Sequence, residues 1–376
     1  MLPAISEHSS NGDGMSASEL KPRDSVNDTT RRAVEAAALN EDVDYRAGFF
    51  FALVGDGRPL LKLTAISLIG SGLFAFFLAS TGHFLPHDIL YLGMSAEELH
   101  SVAHGRLAHF MMHDRVSFGG AIFAIGILYL WLAEFPLRDG KAWAWWTFMC
   151  SGFAGFASFL SYLGYGYLDS WHGAATLVLL PIFAIGMYKS YGTLRPASSP
   201  RVLLQSGSSP AWRSRYGIGR ALLLITAWSL VLGGMIIMTV GMTSVFVPTD
   251  LEFMQVTGAD LASANPRLIP LIAHDRAGFG GGVCCCGLTM FFCVFCSPPC
   301  RSLWQALWIM GGAGFGTAIG VHFPIGYTSA SHLAPAFVGA IMFILAMGMT
   351  HEEMMRGAPS SALGGEASLT RRVCKW

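Results

Sequence analysis

Apolar runs of roughly 20 residues, the length that crosses a ~30 Å hydrocarbon core, recur along the chain. They lie at about 63–81, 116–135, 143–165, 171–188, 220–243, 277–297, 303–323 and 331–350. The pattern predicts an all-α integral membrane protein with eight transmembrane helices. The polar stretch before the first run is rich in Ser, Asn, Asp and Glu and has no apolar h-region, so it reads as a disordered tail rather than a cleavable signal. Between the first two runs, "SAEELHSVAHGRLAHFMMH" (Ser95–His113) is partly amphipathic. It predicts a short surface helix capped by Ser95, with Glu98 three residues on. The corresponding "TGADLASANPRLIPLIAH" (Thr257–His274) holds two prolines and is expected to be less regular.

The second and sixth runs open on nearly the same phrase, "HDRVSFGG" (His113–Gly120) and "HDRAGFGG" (His274–Gly281). The likeness extends upstream, where "FLPHDILYL" (Phe84–Leu92) aligns with "FVPTDLEFM" (Phe246–Met254) and Arg106 with Arg267. Downstream, Gly166, Tyr167 and His172 align with Gly326, Tyr327 and His332. A direct repeat of four spans keeps both halves in one orientation, related by an axis along the membrane normal. The expected architecture is two tandem four-helix bundles, residues 60–190 and 220–350. A cytoplasmic linker (191–219) joins them, and cytoplasmic tails (1–59 and 351–376) flank them. Gly312, Gly316 and Gly320 recur every fourth residue, a spacing that suits close helix packing.

Composition agrees with a membrane setting: 53% of the 376 residues are hydrophobic and only 13% charged, against about 25% charged in soluble domains. The loops assigned to the side of the termini hold 20 of the 24 Lys and Arg, so the positive-inside rule puts both termini in the cytoplasm of a bacterial-type plasma membrane. The basic residues are spread over loops, and no nucleic-acid module or phosphate loop is present. Six cysteines crowd the sixth run, yet "CVFCSPPC" offers three thiols without a histidine, fewer than a closed zinc site needs. Trp143, Trp145, Trp146, Trp304 and Trp308 mark the cytoplasmic interface.

Ten of the twelve histidines belong to the outer half, leaving His8 and His351 inside. Each half carries one histidine at the start of its second span (His113, His274) and another at the start of its fourth (His172, His332). Facing histidines on parallel helices can ligate a metal or the iron of a haem. The expected pairs are His113 with His172 and His274 with His332, with His322 and His109 as accessory candidates. Asp114 and Asp275 read as helix N-caps, and Arg115 and Arg276 as partners of a headgroup or an anionic cofactor group.

This layout resembles the heme A synthase family: eight spans in two four-helix halves, long outer first and fifth loops, and a histidine pair in each half. The resemblance rests on "HDR" and on "HGAA" and "HLAPA" at the fourth and eighth spans. It implies that His274 and His332 ligate one haem iron and His113 and His172 another. Asp114 and Asp275 stand where the family has adjacent His and Arg, and the outer loops lack the cysteine pair of many members. A haem-binding membrane oxidoreductase, with a redox partner or quinone, is the expectation. A transporter or metal-handling permease recruiting copper or zinc is the alternative, and a non-catalytic subunit of a larger complex is a third.

Overall fold

The computed structural model describes residues 48–160, 167, 169–194 and 199–357. Most of the expected tails and the end of the third run lie outside these residues. Eight long helices carry the fold: α1 (Arg58–Ser80), α2 (Arg106–Glu134), α3 (Ala142–Leu160), α4 (Ser170–Tyr191), α5 (Arg215–Met242), α6 (Leu268–Cys296), α7 (Arg301–Gly320) and α8 (Ala330–Arg356). No strand occurs among the described residues. Seven of these helices, all but α3, are long and apolar enough to cross a membrane, α7 counting through Ile325, which marks a multi-pass membrane protein. Their outward faces show Leu177, Val178, Ile236 and Leu345 to the surroundings, as lipid-facing helices do.

The expected surface helix is present: Ala96–Ser101 begins at a capping box made by Ser95 and Glu98. Its counterpart is equally regular, contrary to expectation. Gly258–Ala264 has its own capping box from Thr257 and Asp260, and the prolines fall after it, where they end one helix and start the next.

Packing does not follow two separate bundles. α1 lies on α2 and α4, and α5 lies on α6 and α8, within their own halves. α3, however, packs chiefly on α6, α7 on α2, and α2 and α6 meet each other. The halves interlock. The glycines of the two FGG phrases explain how. A Cβ on Gly119 would come within 3.0 Å of the Gly72 carbonyl, and one on Gly280 within 2.7 Å of the Gly234 carbonyl, so these glycines seat α1 and α5. A Cβ on Gly120 would meet Thr317 Oγ1 at 1.8 Å, and one on Gly281 would meet Ser158 Oγ at 2.2 Å. The second glycine of each pair therefore receives a helix from the other half. By contrast, Gly312, Gly316 and Gly320 have nothing within 4 Å of such a Cβ, so that stripe seats no helix among the described residues.

At the end remote from the HDR phrases, Trp145 donates to the Met187 carbonyl at 2.9 Å and Trp304 to that of Met347 at 3.1 Å. These two indoles tie α3 to α4 and α7 to α8. The α6 thiols are free and buried, with Cys285 donating to the Ser151 carbonyl at 3.1 Å, which makes them packing groups.

Candidate metal centres at the histidine end

α2 begins at Arg106 and α6 at Leu268, so both HDR phrases sit well inside their helices. Asp114 and Asp275 are therefore not N-caps. Successive residues on a helix point about 100° apart, and His, Asp and Arg accordingly reach different neighbours. Arg115 contacts Asp88 at 2.8 Å and Asp275 at 3.0 Å. Arg276 contacts Asp250 at 2.6 Å and Asp114 at 3.3 Å. Each arginine thus takes the aspartate of the opposite phrase and the aspartate of a short helix ahead of its own, Pro86–Leu92 or Pro248–Met254. Tyr167 donates to Asp88 at 2.7 Å and Tyr327 to Asp250 at 2.8 Å. Arg106 and Arg267 also cross over, donating to the carbonyls of Phe253 (3.2 Å) and Tyr91 (2.7 Å). Two carboxylates already contact each of Arg115 and Arg276.

The histidine pairing crosses in the same way. His172 Nδ1 lies 3.1 Å from His274 Nε2, and His113 Nε2 lies 3.0 Å from His322 Nε2. The expected pairs within each half are replaced by pairs between halves. The reason is the interlock: α2 and α6 share the centre, and each turns its histidine toward the other half. His322, expected as an accessory, is a full member of a group with His113 and His332. His109 is exposed and joins neither group.

Three donor sets result among the described residues, the third (His87, Asp88 and Asp169) sharing Asp169 with the second. In the first, His113 Nδ1 rests on Asp114 at 3.0 Å and His332 Nδ1 on Tyr327 Oη at 3.0 Å. Such contacts fix imidazole orientation and leave Nε2 for a ligand. In the second, Asp169 caps α4 by accepting from Trp171 N (2.8 Å) and His172 N (3.0 Å) through Oδ1. Its Oδ2 stands 2.8 Å from His172 Nδ1 and 3.5 Å from His274 Nε2. His87 Nε2 approaches Asp169 Oδ1 from the other side at 3.0 Å. Burial alone would raise the Asp169 carboxyl, but hydrogen bonds from His172 and His274 hold it well below the usual carboxylate range. Burial, reinforced by Asp88 and Asp250, pushes the Tyr167 and Tyr327 phenols well up.

No family model, curated protein or solved structure matches this chain.

As they are placed, the histidines depart from the ligand geometry of a haem. Two axial histidines must face each other across a flat ring, with nitrogens about 4 Å apart at ~2 Å per bond. Here the closest nitrogens are 3.0 and 3.1 Å apart, and the His172 and His274 rings stack at 26°. A small ion fits better. Tetrahedral bonds of 2.0–2.1 Å give donor–donor edges of about 3.3 Å, and the Asp169–His172–His274 edges of 2.8, 3.1 and 3.5 Å bracket that value.

Asp88, Asp250, Asp169 and His87 were not singled out by sequence, and Tyr167 and Tyr327 stood out only as aligned positions of the repeat. A signal existed for two of them, because the proline-x-aspartate of "LPHD" and "VPTD" stands at the same place in both copies.

Proposed function

We propose that this chain is a membrane-embedded, metal-dependent enzyme with its working ion at Asp169, His172 and His274. A second ion belongs at His113, His322 and His332. In this reading α3 is also a span, the eight spans form two copies of one four-helix unit, and both termini are cytoplasmic, so the two centres lie at the outer face. The observation that carries it is the triangle of Asp169, His172 and His274 donors at the head of a cavity of about 260 Å³ that His172 and Asp169 line. Two imidazoles and a carboxylate suit zinc or iron(II) and leave coordination positions open. A bound ion there supplies Lewis acidity. The chain's own residues orient the second set of donors: Asp114 holds His113, and Tyr327 holds His332. The arginine–aspartate cross ties α2 to α6, which favours a resident ion over alternating access.

Metal content of protein purified after metal-replete expression tests this. Bound zinc or iron is expected, without a Soret band. His172→Ala should lose one equivalent and His322→Ala another, while a His104/His109 double alanine variant keeps both. Metal-free wild-type protein, or metal that follows His104 and His109, would overturn it.

A further inference from the structure

The cavity extends far beyond the donor triangle. Its walls come from α1, α2, α3, α4 and α6, and they are apolar down to Tyr129 and Gly152. From Arg115 to Tyr129 along α2 is 14 residues, a depth of about 21 Å at ~1.5 Å per residue. All its charged groups gather at the histidine end: Asp114, Arg115, Asp169 and Asp275, with His172 beside them.

The shape of its walls opens it sideways. α1 and α4 meet tightly at the remote end, where a Cβ on Gly57 would be 2.3 Å from the Gly186 carbonyl. At the histidine end the same helices contribute Phe74 and Trp171, which line the cavity yet are 47% and 56% exposed. The entrance thus faces the direction in which lipid chains would lie.

Charge decides what head the cavity accepts. Three lining carboxylates stand against one arginine, which Asp88 and Asp275 already engage. One divalent ion at Asp169 only brings this set to neutrality, so no surplus positive charge remains for an acidic head. We infer that the cavity binds a neutral-headed, long-tailed membrane amphiphile, its hydroxyl or carbonyl head at Asp169–His172 and its tail running toward Tyr129. An isoprenoid quinol and a monoacylglycerol both have this chemistry. The inference deepens the proposed enzyme by naming its substrate class, and it rests on that reading for the cavity's working end.

The test is equilibrium binding of decyl-ubiquinol, monoolein and oleate to the full chain in nanodiscs, with metal content read in parallel. At least one neutral probe should bind saturably, and oleate at least tenfold more weakly; the neutral probe that binds identifies the source. Gly155→Phe should weaken binding at least tenfold with metal retained, since the nearest atom to a Cβ there is Cys285 Sγ at 3.5 Å and the ring would fill the cavity. Ala175→Trp, at the entrance, serves if that variant melts early. The inference is overturned if no neutral probe saturates, if oleate binds as tightly, or if both variants bind as wild type. Normal probe binding by metal-free protein would instead remove the metal reading alone.

Discussion

Arg276 is the most heavily engaged cation at the histidine end, 6% exposed and bound to Asp250, Asp114 and the Val245 carbonyl. Replacing it by Met keeps volume and removes the charge, which leaves the Asp250 and Asp114 carboxylates buried without their guanidinium. Breaking one side of a buried ion pair costs about 3–5 kcal/mol. At roughly 2–4 °C per kcal/mol, the melting temperature should fall by on the order of 10 °C. Circular dichroism melting of purified protein in detergent reads this directly. Neutralising the stranded acids as well, in an Arg276→Met/Asp250→Asn/Asp114→Asn variant, should recover more than half of the loss, because the penalty lies in the uncompensated charge rather than in the missing contact. If Arg276→Met melts within a degree of wild type, or if the two asparagines deepen the loss, the cross does not hold α2 against α6.

Two further perturbations follow from the same geometry. Gly280→Leu should unseat α5, since even a Cβ would meet the Met238 nitrogen at 2.4 Å, and expression of folded protein should collapse; Gly316→Leu, with open space around it, should behave as wild type in the same size-exclusion assay. Tyr167 and Tyr327 have phenols raised above their ordinary value of about 10, so their neutral form is favoured by folding. Their contribution is complete below about pH 10 and is lost as pH rises toward the folded-state values. Melting temperature should therefore fall more steeply above pH 10 in wild type than in a Tyr167→Phe/Tyr327→Phe variant, and parallel curves would contradict this.

Much of the architecture was legible in the sequence because lipid imposes it. Seven of the eight expected runs appear as helices long and apolar enough to cross a membrane, and the eighth is the helix Ala142–Leu160. The histidines were legible as the reactive residues. Their partners were not. A self-similar sequence shows that His113 corresponds to His274, but not whether His172 faces its own copy's histidine or the other's. That choice lies in which helix the glycines Gly120 and Gly281 receive. The helix starts were also misplaced, since apolar content rises only after the HDR phrase while the backbone turns helical at Arg106 and Leu268. Asp114 and Asp275 then looked like caps. Asp169 escaped notice for the opposite reason: it is a genuine cap, and its counterpart position holds Ser329, so no repetition pointed to its second task.

The central claim is that a metal ion joins the two halves through Asp169, His172 and His274. X-ray absorption on the purified protein, at the edge of whichever metal it carries, tests this most directly. The account predicts a first shell of nitrogen and oxygen at about 2.0–2.1 Å with imidazole scattering behind it, reduced in the His274→Ala variant. A sulfur shell near ~2.3 Å, which would place the metal on the α6 cysteines, or an imidazole signal untouched by His274→Ala, would contradict it.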